Sequence, residues 1–410
     1  MPRQSLRDCR PIIRTRVAAL AAVAALALSA CAGVPGPRPS AGPPTPLVIA
    51  HRGLPGLYPE EILPGYEAAI AAGADALELD LQSSSDGVLF ACHNVFLSDT
   101  TDVANHPEFA GRRTSREVDG VLTGPDWFIS DFTAAELKTL RVRQPLDFRS
   151  HQYDGRYPMA TFAEIVALAK QAMAAEPGRT VYVYPETKNP LYQRALGRPL
   201  EERLLAILQA AGWNRPDAPV FVQSFDPESL KRLRRLGLQT KAVQLIDGSE
   251  LDFGSGTMRY TTPDTARPFS WHAAGDRRTF AAMLTPAGLA EIRSYADGIG
   301  PWKLHLLPAA GRDREGRAVT ALSAASSLPP TSLLTDAHRA GLFVHAYTFR
   351  DEPQYLSRNF GDDPYAEYEA YFRLGIDGVF TDFATTAVAA RERWLATRPR
   401  SAAAAAGHAP

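Results

Sequence analysis

Eight short apolar runs punctuate the chain, and amphipathic stretches fill most of the spaces between them. The runs cover residues 47–51, 76–81, 181–187, 220–225, 241–246, 298–301, 343–348 and 378–381. Each has the length and the branched, apolar character of a buried strand. Apolar positions three and four apart then mark helices over 63–72, 161–174, 199–211, 227–236, 330–340, 365–374 and 384–395. A helix between two strands carries the chain back to the start of the next one, so the strands must pair in parallel. Eight such units predict an α/β fold of the closed (β/α)8 TIM-barrel type. An open doubly wound sheet is the rival, but no glycine-rich dinucleotide turn follows the first run.

One apolar run breaks the alternation. Val88-Leu-Phe-Ala-Cys-His93 follows the second strand after only a few residues, too few for a crossover helix. We read Ser83-Ser-Ser-Asp-Gly87 as a turn, and His93 as part of an excursion beyond the second strand. Residues 82–158 then form one insertion above the barrel, and 247–285 a second, with Phe253, Tyr260, Phe269 and Trp271. Long insertions in compact domains are usually functional, so both are expected as lids or substrate walls.

The ends of the chain read differently. Arg3, Arg7, Arg10, Arg14 and Arg16 precede an Ala/Leu-rich apolar segment that is too short to span a bilayer comfortably. This segment closes in Leu28-Ser29-Ala30-Cys31, which resembles a bacterial lipobox. The resemblance implies a signal peptide over 1–30 and lipidation of Cys31. Residues 31–46, rich in Pro and Gly, would be a tether, 47–397 the barrel, and 398–410 a disordered tail. A lipid-anchored protein of the periplasm or outer membrane is the expectation. Ala32 after the cysteine favours the outer membrane, by similarity to enterobacterial sorting.

The chain has 410 residues, 45% hydrophobic and 22% charged, with a net charge of −1, which excludes a disordered or multi-span membrane protein and gives no sign of a nucleic-acid partner. The one basic cluster, Lys231 to Arg235, alternates with Leu230, Leu233 and Leu236 as a solvated helix face would. Of Cys9, Cys31 and Cys92, only the last would stay free in the mature chain. It lies in an apolar run and is expected to be buried packing.

Candidate chemistry gathers at strand ends, where barrel enzymes work. Glu78 and Asp80 are two apart on the second strand and so face the same way. Glu186 and Lys188 repeat that spacing on the third. The first strand ends in His51 and Arg52, the excursion supplies His93, and the seventh strand supplies Tyr347. Three carboxylates are hard oxygen ligands for Ca²⁺ or Mg²⁺, not a thiolate zinc site. Arg and Lys neutralise phosphate oxygens, and two imidazoles can give and take protons near neutral pH. The set points to phosphoryl transfer with metal help.

The motifs themselves resemble the glycerophosphodiester phosphodiesterase family. They are Leu47-Val-Ile-Ala-His-Arg-Gly53, Pro59-Glu60, Gly73-Ala-Asp75, Glu78-Leu-Asp80, Asp86-Gly87 and His93. Tyr184-Pro-Glu-Thr-Lys188, Gln223-Ser-Phe225, Thr348-Phe-Arg350 and Gly378-Val-Phe-Thr-Asp382 continue the similarity. Ser98 to Asp102 and Phe128 to Phe132 are similar to its periplasmic, long-insertion branch. The resemblance implies a barrel of the phospholipase-C-like phosphodiesterase type that releases sn-glycerol 3-phosphate and an alcohol from glycerophosphodiesters. It implies that Glu78, Asp80 and Glu186 hold a divalent metal, Ca²⁺ in this branch. His51 and His93 would be general acid and base, with their order open. Arg52 and Lys188 would grip the phosphate, and Tyr347 would pack on the glycerol. Three positions depart from the family pattern: Glu61 replaces an Asn, Asn94 an Asp, and Tyr347 a frequent Trp. A neutral Asn94 cannot stabilise an imidazolium as a carboxylate could, which leaves the pKa of His93 open. Two other readings share the fold: a phospholipase-D-like enzyme acting on intact phospholipids, and a surface-binding barrel without catalysis.

Overall fold

The structure, a computed structural model, describes residues 45–248, 250–262 and 265–398. The expected signal peptide, Cys31, nearly all of the tether and the tail beyond Arg398 lie outside the described residues. No helix among the described residues is long and apolar enough to cross a membrane.

Among the described residues, eight parallel strands close on themselves. They are β1 (Leu47–Ala50), β2 (Ala76–Ser83), β3 (Tyr182–Thr187), β4 (Phe221–Ser224), β5 (Lys241–Ile246), β6 (Gly298–Pro301), β7 (Phe343–Phe349) and β8 (Gly378–Thr381). Each pairs with its sequence neighbour, and β8 returns to β1 with Leu47 opposite Gly378 and Ala50 opposite Thr381. Closure makes the exits of β1 and β8 adjacent, although they are far apart in sequence. Every residue of β2 is buried, as a strand covered on both sides requires.

Helices α1 (Leu63–Ala71), α2 (Phe162–Ala175), α3 (Leu200–Ala210), α4 (Pro227–Arg235), α5 (Pro286–Arg293), α6 (Leu333–Arg339), α7 (Pro364–Leu374) and α8 (Ala384–Ala396) follow the strands in turn. Local chemistry sets several of their starts. Thr161 and Glu164 form a reciprocal capping box at α2, and Asp363 caps α7 ahead of Pro364. Helix α5 was absent from the sequence reading. It has two turns, contains Gly288, and buries only Leu289 and Ile292, so it is too short to repeat its apolar period. On α4 Leu230 and Leu233 are buried as expected, but Leu236 just beyond it is 37% exposed.

The outer core joins the helices to the strand faces that point toward them. Inside the barrel, Ile49, Tyr184, Phe221, Val243 and Phe380 pack together. His345 joins them, with Nδ1 3.1 Å from the Tyr184 hydroxyl. This plug fills the barrel beneath the strand exits and leaves the chemistry to the rim.

The excursion after β2 doubles back at once. Leu89–Ala91 pairs antiparallel with the end of β2, Leu81 opposite Ala91, which lays His93 beside the β2 exit. The excursion buries its own core of Phe90, Leu97, Trp127, Phe132 and Leu140, so it is a packed layer rather than a loose loop. Beyond the two expected insertions, a third long connection runs from Trp302 to Ser332 between β6 and α6. It has no periodic apolar pattern and so left no mark in the sequence reading.

Candidate active site

The eight sequence-predicted site residues converge on one cavity of ≈ 390 Å³ at the strand exits. His51, Arg52, Glu78, Asp80, His93, Glu186, Lys188 and Tyr347 all line it.

Register brings the acids together. Asp80 on β2 lies opposite Glu186 on β3, and Glu78 points to the same side as Asp80. One oxygen from each of Glu78, Asp80 and Glu186 lies within 4.8 Å of the others. Burial, with Asp80 and Glu61 beside it, lifts the Glu78 carboxyl well above the usual range. Burial likewise pushes Glu186 up to about 8, against the pull of Lys188. Burial acts on Asp80 too, but Lys188 and Arg52 overcome it and hold that carboxyl below its ordinary value.

Such a cluster requires positive charge. Arg52 Nε comes within 2.9 Å of Asp80, and Lys188 Nζ within 3.1 Å of Glu186 and 3.8 Å of Asp80. Even so, Asp80 Oδ2 is buried without a well-formed hydrogen bond. Three converging hard oxygens, two of them on carboxyls that burial drives toward protonation, fit a divalent cation that would displace those protons.

Neighbouring groups orient these acids. Gln223 on β4 donates to Glu78 Oε1 at 2.9 Å, and the Arg52 amide donates to Glu78 Oε2 at 2.9 Å. Glu61 accepts the Asp80 amide at 2.9 Å and is also bonded by the Tyr66 hydroxyl. Arg52 and Glu61 both adopt left-handed backbone, φ 53° and 61°, and the Glu61 amide donates to the Arg52 carbonyl at 3.0 Å. Two non-glycine residues so held at a site are strained by the fold around it. Glu61 thus bonds the backbone of a candidate ligand. Glu60 accepts from Arg52 Nη1 at 3.1 Å.

The imidazoles stand on different supports. His51 Nδ1 lies 2.6 Å from Asp382 Oδ1, and Arg149 and Arg350 hold the other oxygen of that carboxylate at 2.7 and 2.8 Å. Burial and the Arg52 cation still keep His51 below the ordinary imidazole value. His93 Nδ1 instead meets Asn94 Oδ1 at 2.8 Å, and Asn94 Nδ2 donates to Asp99 at 3.0 Å. Burial, then Arg52 and Lys188, depresses His93 well below its ordinary value. Tyr347 directs its hydroxyl to the Ile246 carbonyl at 2.9 Å, and its ring stands edge-on to Phe225. Cys92 is buried, and burial raises its thiol pKa.

Asp382 closes the Gly378-Val-Phe-Thr-Asp382 motif, to which the sequence assigned no role, and Arg149 carried no sequence signal. The signal for Asp382 was its position. It directly follows β8, and in a closed barrel that exit adjoins His51. Arg149 lies deep in the first insertion, where no motif marked it. Trp302 and Lys303, also on the cavity wall, come from the unanticipated third connection.

A barrel with carboxylates, imidazoles and cations gathered at its strand exits is that of a metal-assisted phosphodiester hydrolase. The chain belongs to the Glycerophosphoryl diester phosphodiesterase family, whose sequence model matches residues 51–386. It is 38% identical over 352 residues to the glycerophosphodiester phosphodiesterase GDPD6 of Arabidopsis thaliana, covering 82% of this chain and 84% of that one. It is 27% identical over 367 residues to a glycerophosphodiester phosphodiesterase of Haemophilus influenzae, covering 83% and 88%. An Oleispira antarctica phosphodiesterase, solved in complex with the product sn-glycerol-3-phosphate, shares the fold at TM-score 0.51 and 18% identity, covering 85% of this chain and 97% of that one. Enzymes of this family work with a divalent cation, and Glu78, Asp80 and Glu186 offer one a place.

Proposed function

We propose that this protein hydrolyses glycerophosphodiesters to sn-glycerol 3-phosphate and an alcohol, with Ca²⁺ held by Glu78, Asp80 and Glu186. The observation that carries this reading is the meeting of those three carboxylates with two imidazoles, Arg52 and Lys188 on one cavity wall. The phosphodiester lies against the acids, with Arg52 and Lys188 on its non-bridging oxygens. A cation held by Glu78, Asp80 and Glu186 would supply Lewis-acid polarisation of the phosphodiester and would offset the charge that builds on those oxygens. One imidazole takes the proton of the attacking oxygen, from water or from the glycerol 2-hydroxyl. The other delivers a proton to the departing alcohol oxygen. The Tyr347 ring packs against the glycerol.

The same reading includes the ends of the chain. The lipobox-like Leu28 to Cys31 supports acylation of Cys31 and a site of action at the periplasmic or outer-membrane surface. Labelled palmitate should enter the wild-type chain and not Cys31→Ser; equal labelling contradicts the anchor.

The activity is tested by coupled detection of glycerol 3-phosphate released from glycerophosphocholine and glycerophosphoethanolamine. Wild-type protein with Ca²⁺ should turn over, and His51→Ala should lose at least about a hundredfold in kcat/KM. Turnover that survives the substitution contradicts the assignment of His51. Release of phosphatidic acid from intact phospholipid, with none from the deacylated diester, would favour the phospholipase reading.

A further inference from the structure

Residues 144–149 of the first insertion bind both sides of the barrel seam, where β1 meets β8. On one side Gln144 is buried and donates through Nε2 to the Pro55 and Tyr58 carbonyls at 3.0 and 3.2 Å, in the loop that follows β1. On the other side Arg149 donates through Nε to Glu352 at 2.7 Å, just past β7, and through Nη2 to Asp382 at 2.7 Å, just past β8. The segment between them is braced. The Leu146 amide donates to Gln144 Oε1 at 3.2 Å, and the Arg149 amide to the Leu146 carbonyl at 2.9 Å.

The Arg149 side chain is 4% exposed. Filling that space requires no charge, because an apolar side chain would pack there without the desolvation of an ion. What a guanidinium adds is direction. Its planar group fixes two carboxylates at once, and the Phe383 and Phe148 rings lie 5.4 and 6.0 Å from its Cζ. Asp382 uses that direction. Its Oδ1 meets His51, so the tilt of the carboxylate is set by whatever holds Oδ2. Arg350 also bonds Oδ2, but its side chain is 29% exposed, and it belongs to the same rim of strand exits. Arg149 is the buried one of the two, and it is anchored in a separate layer of the fold.

We infer that Arg149 is a positioning residue for the reaction, one that carries the seating of the first insertion through Asp382 to the His51 imidazole. The inference rests on the phosphodiesterase reading above and adds a residue and a structural element to it. Arg149 is not among the described residues lining the ≈ 390 Å³ cavity, so it acts on His51 and not on the substrate. Its loss should therefore appear in kcat and spare KM.

The test is a double-mutant cycle read by steady-state kinetics on glycerophosphocholine with Ca²⁺. Arg149→Met should lower kcat by about tenfold or more and change KM by less than about twofold. In an Asp382→Asn background the same substitution should lower kcat by less than about twofold, because the carboxylate it steadies is gone. Arg149→Met also leaves the Glu352 carboxylate without its partner, which destabilises the fold. Glu352→Gln added to Arg149→Met removes that charge, so thermal stability should return while kcat stays low. Equal kcat losses in the two backgrounds, or a kcat that recovers together with stability, would make Arg149 a structural anchor only. Either result overturns the inference and leaves the phosphodiesterase reading standing. If the wild-type protein releases no glycerol 3-phosphate, that reading fails, and the inference with it.

Discussion

His51 at the end of the first barrel strand and Asp382 at the end of the last lie 2.6 Å apart. Barrel closure makes this pair, since β1 and β8 are neighbours only once the sheet has met itself. The carboxylate fixes the proton on Nδ1 and so turns Nε2 of the neutral ring into an acceptor. Arg149 and Arg350 hold Asp382 in turn, and their charges keep it ionised well below the usual carboxylate range, even though burial opposes ionisation. Asp382→Asn should retain the fold, lower kcat/KM by roughly a hundredfold or more, and change KM little. Steady-state kinetics beside a near-UV circular dichroism spectrum checks both parts.

The amide beside His93 makes a different prediction. Asn94 faces His93 with its oxygen because Asp99 holds its nitrogen. Asn94→Asp would favour the imidazolium and should move the His93 limb of the pH–rate profile upward by roughly one unit. It would also set two carboxylates face to face. Asp99→Asn added to that variant should therefore restore stability lost by the single change, as measured by thermal unfolding.

Cation affinity should depend on pH through Glu186. Burial places its carboxyl at about 8 in the metal-free protein, so at pH 7 a cation must displace a proton. Affinity should climb by about tenfold per pH unit up to about pH 8 and then level, more steeply if Glu78 also gives up a proton. Calorimetric titration in buffers of different ionisation enthalpy counts the protons released.

Gly53 turns the chain between His51-Arg52 and helix α1. Its φ is +95°, and a Cβ there would meet the backbone of Gly65 and Tyr66 at 3.2 and 3.3 Å. Gly53→Ala should cost roughly 1–3 kcal/mol of stability. Urea unfolding provides the measurement, and activity at low temperature should fall with it, because the strained Arg52 shares that turn.

Inside the barrel, burial lowers the His345 pKa to about 4. In the unfolded chain the ring binds a proton below its ordinary value of 6.5, whereas the folded one stays neutral until about 4. Stability is therefore lost as pH falls through that window, by up to about 1.4 kcal/mol per unit for this group. His51, His93 and His305 are lowered too and act in the same direction. The difference between wild type and His345→Gln, followed against pH, isolates the one group.

Most of the barrel was legible because each strand is a short apolar run bounded by turn residues. The predicted strands agree with the observed ones to within a residue or two at each end. The acids and cations of the site could be found because a two-residue spacing on a strand fixes a shared face. What escaped depended on closure or on loops. Asp382 acquires its meaning only from its neighbour across the barrel seam. Arg149 reaches the site from an insertion whose path no periodicity records. Helix α5, two turns long around a glycine, is too short to repeat its apolar period, and the Trp302 to Ser332 connection has none.

The proposed chemistry depends on Glu78, Asp80 and Glu186 jointly holding one catalytic cation. It is tested most directly by stripping the protein with a chelator and titrating Ca²⁺ back while following both heat and glycerol 3-phosphate release. One equivalent should bind, activity should return in step with occupancy, and both effects should be absent in Glu186→Gln. Full turnover in the stripped protein, or undiminished binding by Glu186→Gln, would contradict it.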